Sequence, residues 1–155
     1  MIPAEELPID TTATADDLAT KIFGSGVMVN TATLTGADAA SGIYTDGDNV
    51  APNLTPTDEG VILSTGNAVD VTNSTGAANQ VANSGVDLGE AGDPALNAIA
   101  GAQTFDAVAL EVNFTPEGAT LTMQFVFGPE EYLEYVNSGF NDAFAVFVNG
   151  QKVEI

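Results

Sequence analysis

The chain has 155 residues, of which 22 are Asp or Glu and only two, Lys21 and Lys152, are basic, giving a formal net charge of −20. It contains no Cys, His or Trp, which excludes disulfides, thiolate and imidazole metal sites, and every His-dependent triad. The missing Lys/Arg clusters exclude nucleic acid and anionic membrane surfaces as partners.

An apolar content of 45% and a mean hydropathy of +0.15 set the chain apart from disordered acidic tails, so the charge sits on a folded body. Its length predicts a single domain over 1–155. No run reaches the roughly 20 apolar residues of a membrane span. Met1–Asp10 lacks the basic start and apolar core of a secretory signal. A Cys-free, Lys-poor, Thr/Asn/Gly/Ala-rich acidic domain fits an extracellular or cell-surface setting, where such a surface keeps its hydration and resists nonspecific association.

The first ten residues read as a strand or extended arm, followed by one short helix. Thr12 or Thr14 caps it, Asp16 and Asp17 fall in the first turn where the helix dipole favours anions, and Leu18, Ile22 and Phe23 share a face. Gly24 and Gly26 end it. Val27–Leu34 opens with two-residue alternation, a strand signal. No second convincing helix is predicted. Val61–Ser64 reads as a short buried strand closed by Thr65-Gly66-Asn67. The polar, small-residue stretch from Asn73 to Gly92 shows no periodicity.

The last third is strongly β. Val108, Leu110, Val112 and Phe114 alternate with Ala107, Ala109, Glu111 and Asn113. A turn at Thr115–Gly118 then leads into a return strand carrying Leu121, Met123, Phe125 and Phe127. Ala143–Val148 is another strand, with Phe144 and Phe147 on opposite faces and at least one of them in the core. Asn149-Gly150 predicts a type I′ hairpin. The return strand stops at Ile155, so the sheet is expected to be unfinished there, completed by further chain or by strands of a partner. The fold class expected is mainly β: an antiparallel, jelly-roll-like β-sandwich with one short N-terminal helix, incomplete at its C-terminal side.

The run from Phe125 to Gly150, FVFGPEEYLEYVNSGFNDAFAVFVNG, closely resembles the hallmark of the choice-of-anchor L domain family, whose members read like FVFASEEYxEYVxSxFNDVFGFF. Asp10–Ala15, Gly60–Gly66, Gly92-Asp93-Pro94 and Thr104–Phe114 add matches, so the resemblance spans nearly the whole chain. It implies a secreted bacterial β-sandwich domain of surface proteins whose anchoring devices vary. It also implies that 1–155 is the N-terminal two-thirds of such a domain, since members continue for several strands past the position of Val148. Pro129 departs from the pattern, standing where a small polar residue is usual.

Within that run, Glu130, Glu131, Glu134, Asn137, Asn141 and Asp142 lie between two apolar strands. Calcium takes six to eight oxygens from carboxylates, amides and carbonyls, and this loop offers that chemistry. The competing reading has Asn141 and Asp142 capping turns while the glutamates face water. Asp46 and Asp48 in Asp-Gly-Asp-Asn are a second candidate for metal, without the spacing of a twelve-residue calcium loop; such strings are also ordinary turns. Asp87, Glu90 and Asp93 form a third acidic loop, read as structural. Tyr132 and Tyr135 offer a surface for a glycan or protein partner, or pack in the core. Glu130 with Asp142 is the one carboxylate pair worth weighing for glycoside hydrolysis, and with no Trp to stack a sugar the chain is read as a non-enzyme.

The function expected is therefore a non-catalytic, calcium-stabilised surface or matrix module serving adhesion or structure. One alternative is a filament or biofilm-matrix subunit assembled by β-strand donation; another is a carbohydrate-binding module. Other protein subunits or surface glycans are the expected partners, with self-assembly through exposed strand edges.

Overall fold

The computed structural model describes residues 6–52, 54–72, 86–128 and 141–155. Ten regular elements follow one another: β1 (Ile9–Asp10), α1 (Ala15–Ile22), β2 (Val27–Thr35), β3 (Ser41–Tyr44), α2 (Gly47–Val50), β4 (Gly60–Leu63), α3 (Pro94–Ala100), β5 (Ala109–Pro116), β6 (Phe147–Val148) and β7 (Gln151–Lys152). Short 3-10 turns occupy Asp38–Ala40 and Ala68–Thr72. The fold is mainly β, built from small antiparallel sheets: β1-β3-β4, β2-β5 and β6-β7.

α1 starts as its sequence dictates. Thr14 accepts from the Asp17 backbone N–H while the Asp17 carboxylate accepts from the Thr14 backbone N–H, a reciprocal capping box. Lys21 in the last turn complements the dipole. The helix buries Leu18 and Ala19 completely and touches both β3-β4 and β2-β5, so it joins the two sheets. Phe23, just past its end, stacks on Phe114 of β5 with ring centroids 4.8 Å apart.

β2 and β5 pair antiparallel from Val27↔Pro116 to Thr35↔Ala109, with a bulge between Val29 and Thr31. The extra residue is Asn30, and it explains a phase change in the sequence. Before it the half-buried positions are Val27 and Val29; after it they are Ala32 and Leu34. One inserted residue restores the apolar face, since strand side chains alternate with period two. Leu34, Ala32 and Val29 thereby oppose Leu110, Val112 and Phe114. The Asn30 amide donates across the ladder to Asn113 Oδ1 at 2.8 Å and to Thr115 Oγ1 at 3.2 Å.

A second core gathers Leu7, Tyr44 and Ala51, with Ile9, Val50 and Ile62 packed against it. Tyr44 pairs with Gly60 across β3-β4. A Cβ at Gly60 would stand 2.7–2.8 Å from the Tyr44 ring and hydroxyl, so only a side chain of hydrogen leaves the tyrosine its place. Its hydroxyl lies 3.1 Å from Thr57 Oγ1.

Several expectations need correction. A helix does follow α1: α3 has Asp93 as its N-cap, Pro94 in its first turn and Gly101 in the left-handed conformation (φ 68°) at its end. Asp93-Pro94 is thus a helix start, where the missing proline N–H costs nothing. α2 adds a single turn. β4 is half-buried rather than buried. Residues 121–127 join no ladder among the described residues, and β5 pairs with β2 instead of with them. The β2-β5 pairing leaves an apolar row half-buried beside α1. Phe144 and Phe147 are both more than one-third exposed, although Phe144 stacks with Phe125 at 4.9 Å. The Asn149-Gly150 hairpin is present: both residues have positive φ, 51° and 74°, and β6 and β7 pair across them.

Candidate functional site

With so few bases, the carboxylates find other partners, and in the described residues seven aspartates accept from backbone N–H groups. Asp10 accepts from Thr12 N at 2.8 Å, Asp17 from Thr14 N at 2.9 Å and Asp87 from Gly89 N at 2.8 Å. Asp93 accepts from Ala95 N and Leu96 N, at 2.7 and 3.0 Å. These are local closures that a short carboxylate makes readily.

Others reach across the chain. Asp16 takes the Ala32 N–H of β2 at 3.1 Å, fixing α1 to that strand. Asp58 takes the Asp48 N–H at 3.2 Å, holding α2 to the segment before β4. Asp106 does most. It is 9% exposed, has φ 49°, and its two oxygens accept from Leu88 N at 3.1 Å and Glu90 N at 2.7 Å. Its own N–H returns a bond to the Glu90 carbonyl at 3.1 Å. Gly92 follows this clamp, and a Cβ there would collide with the Thr104 carbonyl. The stretch 86–93 is therefore tied to 104–107 by its backbone.

The electrostatics follow from these bonds. The Thr12 hydroxyl first, and its N–H second, hold the Asp10 carboxyl below its ordinary value of 3.8. The Thr14 hydroxyl and N–H do the same for Asp17. In each case the donors favour the ionised form. Both bases are matched with glutamates: Lys21 with Glu59 at 3.0 Å and Lys152 with Glu154 at 3.4 Å. Lys21, Glu59, Asp17, Phe23 and Ile43 line an open groove beside α1.

The candidate metal residues distribute as follows. Asp46, at φ 61°, precedes α2, and its Oδ1 accepts from the Asn49 amide at 2.6 Å. Asp48 is exposed within that turn. Asn141 donates through Nδ2 to the Ala100 carbonyl at 3.2 Å, at the end of α3. Asp142 beside it is exposed. Glu130, Glu131, Asn137, Tyr132 and Tyr135 lie outside the described residues. Among the described residues no group of three or more carboxylates is placed to hold a metal ion. Asp93 of the third acidic loop is a helix cap, as the structural reading held.

The sequence matches the model of the choice-of-anchor L domain over residues 7–154. The chain belongs to this family. Membership points to a bacterial surface-associated module, outside the cell or at its surface, and the family is not a known enzyme family. No curated protein and no solved structure matches the chain. No helix among the described residues is long and apolar enough to cross a membrane.

Proposed function

We propose that the chain is a non-catalytic extracellular module of a bacterial surface or matrix protein, folded as one β-sandwich domain and stabilised by calcium. The family match over 7–154 carries this reading. The aspartate bonds support it from another side: at Asp10, Asp16, Asp17, Asp58, Asp87, Asp93 and Asp106 the carboxylate is spent on holding backbone. Such a body serves structure or adhesion rather than turnover.

Calcium enters through the charge balance. Two lysines, both already paired with glutamates, leave the chain's 22 carboxylates with little basic counter-charge. Glu130, Glu131, Asn137, Asn141 and Asp142 offer carboxylate and amide oxygens of the type calcium takes. The Asn141 amide nitrogen is held by the Ala100 carbonyl, which leaves Oδ1 as the atom such a site would use. Melting in calcium and then in chelator tests the ion. A site of millimolar affinity at tenfold excess of calcium adds about 1.4 kcal/mol, a Tm rise of roughly 3–6 °C. Equal melting temperatures in calcium, magnesium and chelator refute it. Protease shaving and antibody labelling of intact cells test the location; a signal only after lysis refutes it.

A further inference from the structure

The β6-β7 hairpin holds a dipeptide that occurs once in this sequence: Asn149 is its one asparagine followed by glycine. Asparagine side chains elsewhere are occupied. Asn30, Asn49, Asn67, Asn97, Asn113 and Asn141 each use the side-chain amide in a hydrogen bond. Among the described residues the Asn149 amide makes none, and neither does the Gly150 N–H. Both residues are exposed. Apart from its chain neighbours, nothing lies within 4 Å of the place a Gly150 Cβ would take.

Little holds this turn closed. β6 and β7 have two residues each and pair only with one another among the described residues, and 147–152 are exposed throughout. One further bond, from the Val153 N–H to the Val146 carbonyl at 2.8 Å, ties the two strands. A two-stranded hairpin by itself is marginal in water, so this one opens locally while the rest of the fold stays intact.

We propose that Asn149-Gly150 is a self-modification site, at which the chain deamidates with water as the only co-reactant. The closed type I′ turn points the Gly150 nitrogen away from the Asn149 side chain, so the reaction starts from the open hairpin. There the nitrogen attacks Asn149 Cγ to form a five-membered imide. The Cγ–Nδ2 bond breaks, and ammonia leaves carrying the Gly150 proton. Glycine favours this step because it has no side chain to obstruct the approach. Water then adds to one imide carbonyl, and the bond from that carbon to the ring nitrogen breaks. Addition at the side-chain carbonyl gives aspartate. Addition at the main-chain carbonyl gives isoaspartate, whose extra backbone methylene does not fit a type I′ turn. Either product adds a carboxylate to a chain that already carries 22.

Incubating the full chain in warm, mildly alkaline buffer with chelator, and mapping its peptides by mass spectrometry, tests this. Residue 149 is expected to exchange NH for O ahead of every other described asparagine, giving aspartate and isoaspartate together. Opening a marginal hairpin lowers the reactive population by at most about tenfold, so the rate stays within that factor of the rate in the free peptide of residues 147–152. N149Q, whose longer side chain cannot close that ring, loses the change. Residue 149 left intact after the peptide has converted overturns the proposal. So does aspartate without isoaspartate, which marks direct hydrolysis in place of the imide, and so does an N149Q chain that converts equally. Mapping of the parent chain decides without relying on the folding of any variant. None of these readouts depends on calcium or on cell-surface location.

Discussion

Replacing Asp106 tests the claim that carboxylate-to-backbone bonds hold this protein's loops. The side chain is nearly buried and accepts two backbone N–H bonds, from Leu88 and Glu90. A hydrogen bond to a charged group contributes about 1.5–3 kcal/mol. In Asp106→Ala the freed N–H groups belong to exposed or half-buried residues and regain water, so the lower end applies: about 3 kcal/mol for the pair. The left-handed conformation at φ 49° adds about 1 kcal/mol for alanine. The total, about 4 kcal/mol, corresponds to a Tm loss of roughly 8–16 °C in a domain of this size. Asp106→Gly keeps the loss of both bonds but removes the conformational strain, and is expected to be milder than alanine. Asp106→Asn retains one acceptor and tolerates positive φ, so it loses about 1–2 kcal/mol. Urea unfolding followed by circular dichroism gives the ordering, and hydrogen exchange at Leu88 and Glu90 locates it. Alanine within about 0.5 kcal/mol of the parent protein, or unchanged exchange at those two amides, would refute the clamp.

Two further outcomes rest on other parts of the fold. Gly60→Ala forces a Cβ against the Tyr44 ring and should cost about 1–3 kcal/mol through overpacking; near-ultraviolet circular dichroism of the tyrosines reports the displacement, and an unchanged spectrum with unchanged stability contradicts the packing. The pH dependence rests on two aspartates. Asp10 and Asp17 titrate below 3.8 in the folded chain, so their contribution is present above that value and is lost as pH falls through the depressed one. Thermal melts of the parent chain and of Asp17→Asn should therefore differ above about pH 4 and converge in stronger acid; a constant difference down to pH 2 would count against it.

What the sequence made legible was local. The start of α1 could be read because Thr14 and Asp17 sit three residues apart and make their own capping box. The β6-β7 turn could be read because Asn-Gly tolerates two successive positive φ angles. The short-range aspartate bonds, Asp10 to Thr12 and Asp87 to Gly89, belong to the same class. The bonds from Asp16 to Ala32 and from Asp106 to Leu88 do not, since each depends on elements brought together only by the fold. β2-β5 pairing was hidden for a related reason. Asn30 breaks the alternation of β2 midway, and a residue that resets strand phase resembles noise until its partner strand is known. α3 was hidden by ambiguity: Asp-Pro opens turns and helices alike, and Gly101 as the closing residue was the signal that separates them. Of the candidate metal residues, the structure accounts for Asp46 and Asn141 through their bonds to Asn49 and Ala100, while the loop that would complete the set lies outside the described residues.

The two ion pairs carry a consequence for survival outside a cell. Trypsin-like proteases cut after Lys or Arg, and this chain offers them only Lys21 and Lys152. Lys21 lies in the last turn of α1 with its ammonium 3.0 Å from Glu59, so cleavage there requires the helix that joins two sheets to open first. A cut after Lys152 removes only Val153, Glu154 and Ile155 from this sequence. The near-absence of bases that leaves the carboxylates without counter-charges also leaves this common class of digestive enzyme almost nothing to recognise.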